Sequence, residues 1–280
     1  MPKSRTSEGI AERMQWEADE SGGENRRQEN ICVRGEGKCA IICACGHVRA
    51  PAGGKDVCPR GKDMRYKLAV FDMDGTILDT LDDLTDTLNM SLAEVGMPVR
   101  TKDEVRSFVG NGVGKLLERA VPQGTTEEEM AALAGAFRKN YAVHCADKTK
   151  PYDGVPELIA SLRAAGLKTA VVSNKVDFAV QTLAEDYFKG LFDMAVGERE
   201  GVRRKPAPDS VNEVMRALGI PQEKTVYIGD SDVDADTARN ACVDFVGVEW
   251  GFRPREVLLE HGATVIVKTA DELRRAVLGG

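Results

Sequence analysis

Two aspartates, Asp72 and Asp74, directly follow the apolar run 68–71. Two carboxylates this close in sequence can divide one reaction between a nucleophile and a proton donor. Side chains at positions i and i+2 of a strand point to opposite faces of the sheet, so both reach one site if a loop begins at this point. A polar turn built around Gly75 is the alternative that this segment leaves open.

Three more segments carry polar residues that suit phosphate or metal binding. The Ser173 hydroxyl, with nearby backbone N–H groups, suits an anion, although it also suits a helix N-cap. Lys205 precedes a proline, which favours an extended backbone, and its ammonium faces either a phosphoryl group or solvent. Asp230 and Asp234 are four residues apart, as on one face of a starting helix. Such carboxylates suit Mg²⁺, but they also stabilise the first turn of a helix.

Alternating strands and helices place these segments at one edge of a sheet. Runs rich in Val and Ile predict strands, and apolar periods of 3.6 residues that end at Gly166 and Gly219 predict helices between them. The pattern indicates an α/β fold with a Rossmann-like parallel sheet and helices on both faces. Ligands bind beyond the carboxyl ends of such strands, so we predict one site built from all four segments. The strands are expected at residues 67–73, 167–174, 194–197, 225–229, 244–250 and 263–268.

The chain divides into three parts by composition and periodicity. Residues 1–63 lack a sustained period and predict a disordered N-terminal extension or a misassigned reading frame, with Met64 as the real or ancestral start. Residues 64–80 and 150–280 form the predicted core. Residues 81–149 contain helical periods without a strand and predict a small cap inserted over the carboxyl edge of the sheet. A chain that begins at Met64 is expected to be equally active.

The N-terminal part also offers a zinc site as an alternative. Its thiols and imidazole are good zinc ligands, but their spacing does not fit paired C-x₂-C motifs. We therefore favour the extension. The candidate ligands are Cys39, Cys43, Cys45, His47 and Cys58.

Bulk properties exclude several classes of protein. The 280 residues carry a net charge of −7, which argues against a general nucleic-acid-binding surface. The chain has no run of about 18 apolar residues, which a membrane span needs, and it has no signal-peptide layout. We expect a cytoplasmic protein, without a membrane or nucleic-acid partner, that is a monomer or a homodimer.

Together the four segments resemble the motifs of the haloacid dehalogenase superfamily. Asp72-Met73-Asp74-Gly75-Thr76 is similar to the first motif, Ser173 to the second, Lys205 to the third, and Asp230 with Asp234 to the fourth. The likeness covers about residues 66–278 and is closest to the phosphoglycolate-phosphatase-like branch with a small helical cap. The segments 71–80, 109–120, 173–175, 197–209 and 250–253 carry it.

The resemblance implies a Mg²⁺-dependent phosphoric monoester hydrolase that acts on a small phosphate ester. Asp72 would attack phosphorus and form an aspartyl-phosphate, and Asp74 would protonate the leaving oxygen and then deprotonate water. A carboxylate at Asp74 argues for phosphoryl chemistry and against dehalogenation. Ser173 and Lys205 would stabilise the phosphoryl oxygens.

The resemblance also implies a metal site and a set of substrate contacts. Mg²⁺ would be held by carboxylate oxygens of Asp72 and Asp230 and by the backbone carbonyl of Asp74, with Asp234 orienting these ligands, water or Lys205. The glycine-containing loop 110–112 is either a flexible turn or a substrate loop whose N–H groups approach a carboxylate, which favours 2-phosphoglycolate. The expected substrate contacts are Thr76, Asn174, Lys175, Gly110, Asn111 and Gly112.

Other functions remain open at this point. A phosphotransferase or sugar-phosphate mutase of the same superfamily would share the core residues, and a pyrophosphatase or nucleotidase would differ in substrate. A non-enzymatic binding protein is disfavoured because no catalytic position is lost.

Overall fold

The computed structural model describes residues 64–279. The extension and the alternative zinc site proposed for residues 1–63 therefore lie outside the described residues. Within residues 64–279, no helix is long and apolar enough to cross a membrane.

A six-stranded parallel sheet forms the centre of the described part. Its strands are β1 Leu68–Phe71, β4 Lys168–Val176, β5 Met194–Glu198, β6 Thr225–Gly229, β7 Asp244–Val248 and β8 Ile266–Val267. The spatial order is β5-β4-β1-β6-β7-β8, so β1 is flanked by β4 and β6. The carboxyl ends of these central strands meet at one edge, and the loops that leave them are the ones that carry the candidate site residues.

Helices cover both faces of this sheet. They are α5 Val155–Ala164, α6 Asp177–Phe188, α7 Asp209–Leu218, α8 Asp232–Asn240, α9 Arg255–Glu260 and α10 Ala270–Leu278. On β1, Ala69 and Phe71 pack with α5, α6 and α10, whereas Leu68 and Val70 pack with α7 and α8. This alternation follows from the two-residue period of a strand.

Four further helices form the predicted cap, which we define as residues 81–149. They are α1 Leu81–Glu94, α2 Lys102–Phe108, α3 Gly112–Ala120 and α4 Glu127–His144. Leu88 of α1 and Leu133 and Phe137 of α4 belong to a separate apolar cluster, which Phe252 of the core joins. The predicted fold class, a Rossmann-like core with a small inserted helical cap, is confirmed. The exact boundaries of core and cap remain our proposal.

The two chain segments that connect core and cap pair with each other. Strand β2, Leu78–Asp79, runs antiparallel to strand β3, Lys150–Pro151. Nearby, the Asp83 carboxylate accepts hydrogen bonds from the backbone N–H groups of Lys148 and Thr149 at 2.8–3.0 Å. The two connections are thereby held together at the point where the cap meets the sheet.

Some strand ends differ from the prediction. β8 has two residues instead of six, since it pairs with β7 at two positions. β7 ends at Val248 instead of Trp250, because the following residues turn toward the site: the Trp250 indole N–H donates to the Thr76 carbonyl at 3.0 Å. β4 continues to Val176, which pairs with Glu198 of β5.

Candidate active site

The loop after β1 carries Asp72 and Asp74 into a tight turn, and both line one cavity. The Met73 carbonyl accepts the N–H groups of Ile77 and Leu78, both at 3.0 Å, which folds the loop back on itself. Gly75 has a φ of +83°, and a Cβ there would lie 2.5 Å from Asp230 Oδ2. The turn therefore needs glycine for its backbone conformation and for its close approach to Asp230.

Three buried carboxylates converge at this edge of the sheet. Asp72, Asp230 and Asp234 each offer an oxygen, and these oxygens lie within 4.8 Å of one another. Burial, and then the neighbouring charge of Asp234, raises the pKa of Asp72 to about 7, although Lys205 opposes the shift. Burial and the charges of Asp234 and Asp72 raise the pKa of Asp230 to about 8. The cluster thus concentrates negative charge in a region shielded from water.

Lys205 supplies positive charge to this cluster. Its Nζ lies 2.8 Å from Asp72 Oδ1 and 2.8 Å from Asp234 Oδ1, and it donates to the Tyr227 hydroxyl at 3.1 Å. Burial alone would lower the pKa of Lys205, but the Asp234 and Asp72 carboxylates raise it well above its ordinary value. The ammonium therefore stays charged beside the predicted nucleophile.

Asp230 and Asp234 are held in different ways. Asp230 accepts hydrogen bonds from the Thr76 hydroxyl at 2.8 Å and from the Phe252 N–H at 2.7 Å. Asp234 is the third residue of α8, and its Oδ2 accepts from the N–H and hydroxyl of Ser231, which caps that helix. Its Oδ1 faces Lys205, so Asp234 connects the helix start to the lysine.

The end of β4 supplies Ser173, Asn174 and Lys175. The Asn174 amide makes two hydrogen bonds with the backbone of Lys205. Its Oδ1 accepts the Lys205 N–H at 2.9 Å, and its Nδ2 donates to the Lys205 carbonyl at 3.0 Å. Nδ2 also donates to the Gly110 carbonyl of the cap at 3.1 Å. Lys175 Nζ donates to Asp74 Oδ1 at 2.7 Å. Thr76, Asn174 and Lys175 all have protein partners, and their expected contacts with substrate stay predictions.

A cavity of about 50 Å³ lies between this edge and the cap. Asp72, Asp74, Ser173, Lys205 and Asp230 line it from the core. The structure brings together side chains from four separate segments of the chain, which are up to 158 residues apart in sequence (from Asp72 to Asp230).

Gly110 and Gly112 line the cavity from the cap, with φ of +117° and +82°. Asn111 lies between them, but its side-chain oxygen accepts a hydrogen bond from Arg119 at 2.8 Å on the exposed side. The side chain of Asn111 is thus directed to Arg119, whereas the two glycines face the cavity.

Several residues of the site were not predicted as site residues, although the segment 250–253 was named for its likeness to the family. Tyr141 of α4 and Phe252 and Arg253 of the loop after β7 line the cavity, and the Tyr227 hydroxyl contacts Lys205. The segment after β7 could have been found by the rule that pointed to the other loops, since it follows a sheet strand. Tyr141 and Tyr227 lie inside apolar patterns, which predict burial and say nothing of a polar contact.

The carboxylate cluster fits a divalent cation. Oxygen ligands from crowded aspartates are typical of Mg²⁺ sites. The raised pKa values of Asp72 and Asp230 are the electrostatic signature of negative charge that a cation would balance. A cation held by Asp72 and Asp230 is therefore compatible with the residues present.

Comparisons with known proteins agree with this arrangement. The haloacid dehalogenase-like hydrolase family matches residues 69–248. A phosphoglycolate phosphatase of Aquifex aeolicus is 32% identical over 187 residues, which are 66% of this chain and 86% of that protein. An N-acetylmuramic acid 6-phosphate phosphatase of Pseudomonas aeruginosa is 33% identical over 76% of this chain and 95% of its own length.

A solved structure gives the same result. An inferred phosphoglycolate phosphatase from Lactobacillus delbrueckii subsp. bulgaricus superposes with a TM-score of 0.74 at 44% identity, and the match covers 78% of this chain and 100% of that chain. These matches confirm the expected resemblance to phosphoglycolate phosphatases and the expected enzyme class, the phosphoric monoester hydrolases of this superfamily. The chain belongs to the haloacid dehalogenase-like hydrolase family.

Proposed function

We propose that this protein is a Mg²⁺-dependent phosphatase that hydrolyses a small, carboxylated phosphomonoester through an aspartyl-phosphate on Asp72. The observation that carries the proposal is the convergence of Asp72, Asp74, Lys205 and Asp230 on one cavity. A nucleophile, a proton donor, a fixed cation and a metal ligand are the parts that this reaction needs.

Asp72 is the nucleophile in this proposal. One of its oxygens forms a bond to phosphorus while the ester P–O bond breaks, and water later releases phosphate from the aspartyl-phosphate. Lys205 holds the carboxylate of Asp72 in place through the 2.8 Å contact. Its fixed charge also offsets negative charge on the transferring phosphoryl group.

Asp74 handles the proton. It gives a proton to the leaving oxygen in the first step and removes one from water in the second step. Ser173 lines the same cavity, and its hydroxyl donates to a phosphoryl oxygen in this proposal.

Asp72, Asp230 and the backbone carbonyl of Asp74 are the proposed Mg²⁺ ligands. When bound, the cation supplies charge neutralisation that lets the phosphate dianion approach the Asp72 carboxylate. Asp234 keeps Lys205 and the start of α8 in position through its two sets of contacts.

A carboxylate on the substrate is supported by two relatives. Phosphoglycolate and N-acetylmuramic acid 6-phosphate, the esters in the names of those proteins, each carry a carboxylate as well as a phosphoester, although in the sugar the two groups lie on different ring positions. The backbone N–H groups of the loop 110–112 are the proposed carboxylate contact, because a glycine backbone can approach an anion closely. 2-Phosphoglycolate is our first choice of substrate, because relatives from Aquifex aeolicus and Mesorhizobium japonicum are both named phosphoglycolate phosphatase.

A phosphate-release screen tests this function. The purified protein is incubated with 2-phosphoglycolate, N-acetylmuramic acid 6-phosphate, pyrophosphate, nucleoside monophosphates and hexose phosphates, each with Mg²⁺ and with EDTA. We expect Mg²⁺-dependent phosphate release that is fastest from a carboxylated ester. Isomerised sugar phosphate without free phosphate would indicate a mutase, and phosphate release that is undiminished in EDTA would contradict the proposed metal dependence.

A further inference from the structure

The buried Lys175 has no role in the scheme above. Its side chain is 3% exposed, and its Nζ lies 2.7 Å from Oδ1 of Asp74, whose own side chain is 14% exposed. A lysine ammonium loses much hydration free energy on burial, so its place beside this carboxylate calls for a specific explanation.

The contact has a defined geometry. Lys175 lies near the end of β4, which is fixed in the sheet by its pairing with β1 and β5. Asp74 lies on the turn after β1, where the carboxylate could otherwise rotate about two side-chain torsions. The hydrogen bond occupies Oδ1. Among the hydrogen bonds within residues 64–279, none engages Oδ2 of Asp74, and this oxygen is therefore available for the proton.

The cap completes the surroundings of Lys175. The Tyr141 ring of α4 lies with its centroid 5.2 Å from Nζ, so the ammonium has a carboxylate on the core side and an aromatic face on the cap side. A cation gains energy from such a ring when it is shielded from water. Lys175 therefore lies on a sheet strand and contacts both the turn that carries Asp74 and a helix of the cap.

We infer that Lys175 is a positioning residue, which orients the Asp74 carboxylate for proton transfer and is itself packed against the Tyr141 ring of the cap. This inference rests on the proposed function. In the step concerned, Asp72 bonds to phosphorus, the ester P–O bond breaks, and the leaving oxygen takes its proton from Asp74 Oδ2. Lys175 touches Asp74 and neither loses nor gains a proton in this step.

The first experiment compares leaving groups. Lys175→Met, Asp74→Asn and wild type are assayed with the alkyl phosphate found by the screen and with 2,4-dinitrophenyl phosphate, whose leaving group needs no proton. Because kcat/KM reports the steps up to aspartyl-phosphate formation, we expect Lys175→Met to lower it about a hundredfold for the alkyl ester and less than about tenfold for the aryl ester. An equal loss on both esters, carried by KM, would instead assign Lys175 to substrate binding and overturn the inference.

A double-mutant cycle gives the second readout. If Lys175 acts through Asp74, the variant with both Asp74→Asn and Lys175→Met has the same kcat/KM for the alkyl ester as Asp74→Asn alone. An added loss in the double variant means that Lys175 acts independently, which contradicts the inference. An unchanged kcat/KM in Lys175→Met alone contradicts it as well.

Two further variants serve as controls for these experiments. Lys139→Met removes an exposed lysine from α4 that pairs with Glu94, and it should leave kcat/KM unchanged for both esters. Lys175→Gln keeps an N–H donor for Asp74 and provides a second variant if Lys175→Met folds poorly. In Lys175→Gln we expect the losses of kcat/KM on the alkyl and the aryl ester to differ less than in Lys175→Met. If wild type turns over neither ester, or if Asp72→Asn keeps full turnover, the proposed function fails, which is distinct from a failed role of Lys175.

Discussion

At the scale of single residues, the site combines groups whose burial is unfavourable one by one. Asp72 and Asp230 are carboxylates that burial and mutual repulsion push toward protonation, and Lys205 is an ammonium that burial alone would neutralise. These groups can be buried together because the Lys205 ammonium lies between the Asp72 and Asp234 carboxylates, 2.8 Å from each. The charge balance of the site is therefore a property of the group and of no single residue.

Replacing the proposed nucleophile tests the chemistry directly. We expect Asp72→Asn to lower kcat/KM at least about a thousandfold, because an amide does not form the aspartyl-phosphate. The far-ultraviolet circular dichroism should be unchanged, since Lys205 keeps its contact with Asp234. Asp236→Asn on α8 is the matched control, because its partners, the exposed Arg239 and the half-buried His261, lie outside the proposed site. Full turnover by Asp72→Asn would rule out the mechanism.

Removing a proposed metal ligand tests the cation site. A ligand that binds the folded state at a hundredfold excess over its Kd stabilises it by about 2.7 kcal/mol, so Mg²⁺ should raise the melting temperature of the wild type by several degrees. We expect Asp230→Asn to abolish this shift. Its metal-free form should melt no lower than wild type, because one crowded charge is gone, and the amide oxygen can accept the Phe252 N–H while its NH₂ donates to the Thr76 hydroxyl oxygen. A wild-type Mg²⁺ shift retained in Asp230→Asn would contradict this assignment.

At the scale of elements, the strands fix where each loop begins, and a few side chains fix how neighbouring elements meet. Asp193, just before β5, accepts hydrogen bonds from Arg163 of α5 at 2.6 Å and from Lys168 of β4 at 2.8 Å. It also accepts the Thr169 N–H at 3.0 Å. Through these hydrogen bonds, the Asp193 carboxylate connects α5 with the amino ends of β4 and β5, at the end of the sheet opposite to the site.

The pH dependence of stability tests this joint. Burial alone would raise the pKa of Asp193, but the hydrogen bonds from Lys168, Thr169 and Arg163 lower it below its ordinary value. Its contribution is therefore present above the unfolded-state pKa, near 4, and is lost as the pH falls through the lower folded-state value. We expect Asp193→Asn to reduce the free energy of unfolding by about 1–2 kcal/mol at pH 7.

The difference between Asp193→Asn and wild type should shrink in urea titrations as the pH is lowered from 5 to 3. Glu185→Gln on α6 removes an exposed carboxylate that pairs with Lys189, the residue after the helix. This variant should change stability little at any of these pH values. A loss in Asp193→Asn that is equally large at pH 3 would show that the charge of Asp193 is not its source.

At the scale of the whole molecule, the cap and the core meet through a loop that also holds a proposed metal ligand. In the segment after β7, the Phe252 N–H donates to Asp230, while the Phe252 ring packs in the cap cluster. Arg253 donates to the carbonyls of Arg106 at 2.7 Å and Ser107 at 3.4 Å, at the end of α2. The last carbonyls of a helix lack hydrogen-bond donors inside that helix. Arg253 of the core donates to two of these carbonyls.

Loosening this contact should weaken substrate capture. We expect Arg253→Met to raise KM about tenfold and to change kcat less, because closing the cap then leaves helix carbonyls without their donor. Hydrogen exchange over residues 102–112 should speed up in the same variant. Arg255→Met is the matched control, since Arg255 lies two residues on and pairs with Glu249 of the core. Unchanged KM and exchange in Arg253→Met would show that the contact does not hold the cap.

The sequence by itself determined the fold class, the main strands and the aspartates, serine and lysine that meet at the site. These features are local: a buried parallel strand reads as a short Val/Ile-rich run, a helix as a 3.6-residue period, and a reactive loop as polar residues after a strand. Asp72 and Asp230 could be named because each directly follows a strand, Ser173 because it lies near the end of β4, and Lys205 because it lies in the loop after β5.

The tertiary structure decided which atoms face one another. The Lys175–Asp74 contact joins residues 101 positions apart, and the Arg253 contact with Arg106 joins residues 147 apart. A local pattern carries no information on such distances, because they depend on how the cap packs over the sheet. For the same reason the bonds of Thr76 to Asp230 and of Asn174 to the Lys205 backbone could be seen only in the tertiary structure, while the substrate contacts of these two residues stay predictions.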